Sequence, residues 1–411
     1  MDRNLRILVI GAAFRALGLA LLGPFLNLYL SNVLGIPYET IAVANVVVGI
    51  APIFLSTAGG LIADRVGRRR LFVVSLAGEA LAMTGMAALM QSGSFVGVVV
   101  AFGALAVVGT TGGPGLSAYI ADIAHGSARS VAFTWLRVGH NAGFAAGVFA
   151  GGALIGLFGF VPVAIGAAAI AAGGVGFIGL TLDPSPYDVQ LARAAAPGAS
   201  RSGAPGSLRQ TLRVLAHDRS FLAFCLFSAV GNLTLVQWGF AMPLFVQQRL
   251  HLPYAVLGAG YALNGLMVVF LQNVTTRGLV GHRHTTAYAL SLLLYVVGFI
   301  VLAAGGLVAT AAVALFVAFV VIATVGENVG SVPWATLPSN LAPPTELGAY
   351  NGAYQTIIIV GQLAGTLLGG WALATIGSPI VFWLVLAAPA VPAAAGTVWL
   401  GRWIRAGADR V

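Results

Sequence analysis

Polar residues are so sparse along this chain that they read as punctuation between apolar runs. Runs of about 18 or more apolar positions, the length needed to cross a bilayer as a helix, cover 5–33, 40–63, 70–91, 95–121, 129–158 and 161–182. A second set covers 219–246, 254–276, 285–305, 308–336, 347–374 and 379–403. The pattern predicts an all-α polytopic membrane protein with twelve transmembrane helices. The interval 183–218, rich in Pro, Ser, Ala and Arg, reads as a flexible cytoplasmic linker between the sets. Three segments follow: a six-helix half over 1–182, the linker over 183–218 and a second six-helix half over 219–411. The ten-residue alternation of a membrane β-barrel is absent.

Composition sharpens this picture. The 411 residues are 59% hydrophobic and 8% charged, against about 25% charged in soluble domains, so a water-facing surface cannot be built. The 55 glycines fit a bundle whose helices approach closely. The first apolar run, behind Asp2, Arg3 and Arg6, is too long for a signal-peptide core and reads as a retained anchor. Cys225 is alone, so neither a disulfide framework nor a cysteine metal site is expected.

All 20 basic residues are arginine and the formal net charge is +9. With the N-terminus inside, 17 of them fall in inner segments: Arg3, Arg6, Arg65, Arg68, Arg69, Arg70, Arg129, Arg193, Arg201, Arg209, Arg213, Arg219, Arg277, Arg283, Arg402, Arg405 and Arg410. Arg249 alone falls outside, and Arg15 and Arg137 fall within spans. That asymmetry places both termini in the cytoplasm, in the plasma (inner) membrane. It also accounts for the basic character without a nucleic-acid partner.

The halves carry traces of a duplication. Gly143, Gly147, Gly151 and Gly152 recur as Gly361, Gly365, Gly369 and Gly370, Pro37-Tyr38 recurs as Pro253-Tyr254, and Gly67 with Arg69 recurs as Gly281 with Arg283. Repeated six-helix halves are a transporter architecture, with the substrate site near the bilayer midplane.

The most specific stretch is Gly60-Leu61-Ile62-Ala63-Asp64-Arg65-Val66-Gly67-Arg68-Arg69-Arg70, between spans two and three. It resembles the major facilitator signature, G-x-x-x-D-R/K-x-G-x-R/K-R/K, at every fixed position. Pro114, Ala121-Asp122, Arg129, Gly326-Glu327, Pro333, Pro343 and Gly348-Ala349-Tyr350 extend the resemblance over nearly the whole chain, toward the twelve-helix drug:proton antiporter branch. The resemblance implies the major facilitator fold and a cytoplasmic gate made of Gly60, Asp64, Arg65, Gly67, Arg69 and Arg70, with Asp122 as an acid partner of the loop arginines. Plain anchoring by positive charge would need neither the glycines nor Asp64.

Ionisable groups within spans are costly and so become functional candidates. They are Arg15, Glu79, Arg137, His140 and Glu327. An acid that couples protons must change protonation as substrate leaves, a role open to Glu79 and to Glu327. Glu79 could equally be fixed in an ion pair with Arg15 or Arg137, and Glu327 could be a hydrogen-bonded acid at a helix break. Arg137 and His140 are three apart on one helix face, beside Asn141, and suit an anionic group or a titrating gate. Further candidates for the cavity lining are Asn27, Asn232, Gln237, Trp238, Tyr261, Asn264 and Gln355; Trp238 and Tyr261 could stack on a flat ligand or could mark the membrane interface.

There is no nucleotide-binding loop, and a chain without lysine cannot have one, so ATP-driven pumping is excluded. His282 and His284 lack nearby carboxylates and read as solvated loop rather than a metal site. The expected protein is a non-enzymatic secondary transporter without a cofactor, a functional monomer that uses the proton gradient and alternating access to export a small amphipathic or drug-like compound. Gly147 is followed by Val148 where the antiporter pattern has proline; with Arg137 and His140 this motivates an alternative, uptake or facilitated diffusion of a sugar, metabolite or organic anion. A non-transporting sensor or scaffold is the third reading.

Overall fold

A computed structural model of the protein describes residues 3–50, 66–124, 127–193, 218–343, 346–404 and 408–410. Every span among them is helical, because lipid offers a backbone amide no partner and only a helix satisfies its own N–H and C=O groups over so apolar a run. The first span is Arg3–Asn32, broken by a short 3₁₀ turn at Gly23–Phe25. The second is described over Tyr38–Ile50. Spans three to six are Arg68–Gln91, Phe95–Ile123, Ser127–Phe158 and Phe160–Thr181.

The seventh span, Arg219–Gln248, is broken like the first, by a 3₁₀ turn at Val236–Trp238. Spans eight to eleven are Tyr254–Leu279, His284–Gly305, Ala312–Leu341 and Leu347–Thr375. The twelfth comprises Pro379–Ala387 and Ala390–Leu400. Eleven of these are long and apolar enough to cross a membrane, and among the described residues there is no strand.

The chain groups into two compact units, Met1–Gly35 with Val47–Ala204 and Ile36–Val46 with Pro205–Val411. Residues 36–46 thus join the second unit, where a methyl group on Gly370 would overlap Ala42 and where the Tyr38 hydroxyl donates to Gln248. One correction concerns the interval read as a flexible linker. Its opening residues form a helix, Pro186–Arg193, started by a reciprocal capping box. The Ser185 N–H donates to Asp188 Oδ2 (2.9 Å) and the Asp188 N–H to Ser185 Oγ (3.1 Å).

The glycine repeat is explained by packing. In the first unit Gly139, Gly143, Gly147 and Gly151 lie on the backbone carbonyls of Val9, Ala13, Leu17 and Leu21, so closely that a Cβ would overlap them. In the second unit Gly361 meets Ala229, Gly365 meets Leu233 and Gly369 meets Gln237. The partners are themselves displaced by a constant interval: Ala13 to Ala229, Leu17 to Leu233, Leu21 to Gln237. Both units therefore dock their fifth helix on their first by the same close approach, the mode that replaces hydrophobic driving force inside lipid.

Candidate functional site

In the first unit the intramembrane charges divide into a closed pair and an open group. Glu79, 4% exposed, receives two hydrogen bonds from the Arg15 guanidinium, one from Nε at 2.7 Å and one from Nη2. Gly109 supplies the room, since a Cβ there would press on both side chains. Arg137 is not part of this pair. It is exposed, as is His140 on the same face, and neither makes a hydrogen bond or ion pair with a described residue. Asn141 and Asn27 are half-buried.

The second unit holds a cavity of about 320 Å³. Glu327 opens onto it from the middle of the tenth span, with Trp238 from the break in the seventh and Gln355 from the eleventh. Its carboxylate is held from behind by Asn264, whose Nδ2 donates to Glu327 Oε2 (2.8 Å) and to Thr324 Oγ1 (3.0 Å). No cation pairs with Glu327 among the described residues. Asn232 lines the cavity, and its Oδ1 receives the Gln362 amide at 3.3 Å.

Several candidates play supporting parts. Gln237 is fully buried and donates to the carbonyls of Leu233 (2.8 Å) and Gly365 (2.7 Å), so it bonds the seventh span to the eleventh. Tyr261 stands edge-on to Trp238 at 5.6 Å and donates to its carbonyl (3.2 Å), fixing that ring from behind. Tyr295, Trp334 and Tyr354 also line the cavity and were not singled out from sequence. Tyr354, Ile358 and Gln362 recur every fourth residue beside Gln355 on one helix, a stripe that could have been read as a lining.

At the predicted gate, Gly60, Asp64 and Arg65 lie outside the described residues. Gly67 has φ +97°, a conformation glycine adopts freely, and launches the third span. Asp122 meets Arg68, which also donates to the Ala118 carbonyl (3.1 Å) and stacks over Tyr187 at 4.2 Å. Arg69 donates to the carbonyls of Leu182 and Gly179, both at 2.7 Å, at the end of the sixth span. Arg70 is exposed.

Asp188 lies in the interval that reads as linker, where no local pattern marks a cap for a distant helix. It receives the backbone N–H of Arg68 (2.6 Å) and Arg69 (3.2 Å), capping the third span from another helix. The second unit repeats the device. Asp409, fully buried, receives the Thr285 N–H (2.9 Å) and hydroxyl (2.8 Å) and Arg283 Nε (2.7 Å) at the start of the ninth span. Arg283 also donates to the Gly401 carbonyl, as Arg69 does to the sixth span.

Two units, each built on the same glycine-docked helices and each capped by the same arginine and aspartate device, describe a duplicated bundle of membrane helices. Residues 8–296 match the family model of the Major Facilitator Superfamily. The chain belongs to that superfamily. Its members are transporters rather than enzymes, and this one is a multi-pass transporter of the major facilitator type. An uncharacterized MFS-type transporter, YhjO of Bacillus subtilis (strain 168), is 26% identical over 385 residues, covering 92% of this chain and 88% of its own. Among solved structures, the nucleoside transporter NupG matches with a TM-score of 0.73 at 16% identity, over 97% of this chain and 99% of its own. A peptide transporter, POT, in complex with sulfate matches with a TM-score of 0.74 at 14% identity, over 98% and 96%. At these identities the structural likeness establishes the major facilitator fold.

Proposed function

We propose that this major facilitator transporter exports a small amphipathic compound in exchange for protons, working by alternating access with both termini in the cytoplasm. The observation that carries the reading is the cavity of the second unit. Aromatic side chains supply apolar and stacking surface there, amides supply donors and acceptors, and Glu327 is an acid without a cationic partner among the described residues. An uncompensated carboxylate at membrane depth is costly. Either a proton or a positively charged or donor-rich substrate relieves that cost, and competition between the two at one carboxylate links their movements.

Glu79 has a different role in this scheme. Its paired oxygens are satisfied by Arg15, so it holds the first and third spans in register while Glu327 carries the proton. The proposed gate unites Gly60, Asp64, Arg65, Gly67, Arg69 and Arg70 with Asp122.

The test is direct. Everted vesicles containing the protein, preloaded with a proton gradient, are exposed to a chemically broad panel of amphipathic compounds while internal pH is followed. Substrate-induced proton release supports antiport, and silence across the panel together with measured solute flux overturns it. A second reading, uptake or facilitated diffusion of an organic anion, rests on Arg137 and His140, exposed and unpaired with any described residue on the fifth span. Counterflow of labelled anions without a pH gradient separates it from antiport.

A further inference from the structure

Away from the cavity, the start of the first span and the end of the sixth enclose an open groove of about 470 Å³, lined by Arg3, Arg6, Ile7, Ile10, Phe177 and Thr181. Its mouth is cationic. Arg3 is tethered there, donating to Asp183 (3.1 Å) and to the Thr181 carbonyl (3.3 Å). Arg6 is exposed and makes no hydrogen bond or ion pair with a described residue, so among the described residues it is the charge of the site without a partner.

The inner end is apolar. Ile10 is 44% and Phe14 45% exposed, and the Phe14 ring lies 6.3 Å from that of Phe177. Positions 3, 7, 10 and 14 share one helix face, so an exposed apolar face continues beyond the groove from Ile10 to Phe14, about 12 Å along the helix from Arg6. The arginine distribution assigns its mouth to the cytoplasmic surface.

We propose that this groove holds one anionic phospholipid of the cytoplasmic leaflet, its phosphate at Arg6 beside Arg3 and an acyl chain along Ile10, Phe14 and Phe177. Charge complementarity selects the headgroup and the lipid-depth apolar wall selects the chain. A soluble phosphate would occupy the mouth alone, and a zwitterionic lipid would bring a cation to a site whose free charge is already positive. The site is independent of the transported solute and of the direction of transport.

The full-length protein purified in detergent is titrated with phosphatidylglycerol, phosphatidylcholine or inorganic phosphate, with native mass spectrometry and thermal unfolding as readouts. Phosphatidylglycerol is expected to bind and raise the unfolding midpoint. Arg6→Gln is expected to weaken that binding about fivefold, the contribution of one arginine near an anionic surface, whereas Arg402→Gln leaves it unchanged. Equal stabilisation by phosphatidylcholine, full displacement of the lipid by inorganic phosphate, or undiminished binding to Arg6→Gln would each overturn the proposal. Should Arg6→Gln fail to accumulate, a salt titration on the unaltered protein decides: binding that weakens with ionic strength supports the site, and binding indifferent to salt sinks it.

Discussion

Glu79 meets a guanidinium and Glu327 meets an amide, and their substitutions should part accordingly. Glu79 is buried and Arg15 only half-buried, so Arg15→Ala, which leaves the carboxylate uncompensated, should cost about 3 kcal/mol of stability, and Glu79→Ala, which leaves a partly solvated guanidinium, should cost less. The double variant Arg15→Met/Glu79→Leu should recover most of that in thermal unfolding, and additive losses would show that the pair is not coupled. Glu327→Gln should leave the fold intact and flatten the pH dependence of transport in proteoliposomes. If the pH profile is unchanged, the proton is carried elsewhere and Glu79 becomes the residue to examine. Sequence named both acids because any charge in an apolar run stands out. It could not choose between Arg15 and Arg137 as the partner of Glu79, since that depends on how three helices are rotated about their axes.

For the helices, the glycine repeat is the most legible feature, since a spacing of four residues marks one face and small size marks close contact. Gly143→Val and Gly361→Val should each destabilise the protein by about 1–3 kcal/mol, the usual cost of overpacking, and by similar amounts, because both meet an alanine backbone in equivalent places. A loss at one site only would show that the two units do not share this contact. The helix caps were less legible. Asp188 and Asp409 act on helices more than a hundred residues earlier in the chain, and no local pattern announces such a partner. Asp188→Ala and Asp409→Ala should lower stability by about 1–2 kcal/mol through loss of the cap. The effect should be larger at Asp409, which is fully buried and also holds Arg283. Equal and negligible losses in thermal scans would remove the caps from the account.

At the scale of the whole molecule, membrane orientation is the property most open to a simple test. The single cysteine, Cys225, is buried, so a Cys225→Ser background offers a clean label site. Arg402→Cys should react with a membrane-impermeant thiol reagent only in everted vesicles, and His251→Cys only in intact cells; the reverse pattern would invert the topology. Sequence by itself determined that this chain is a duplicated bundle of membrane helices of the major facilitator type. Hydrophobic length, arginine asymmetry and repeated glycines are one-dimensional signals of the bilayer and of close packing. Tertiary structure alone decided which acid is neutralised by an arginine, which aromatic rings wall the cavity, and that residues 36–46 pack with the second unit. Those outcomes follow from helix rotation and from contacts between segments far apart in the chain, which the order of residues does not display.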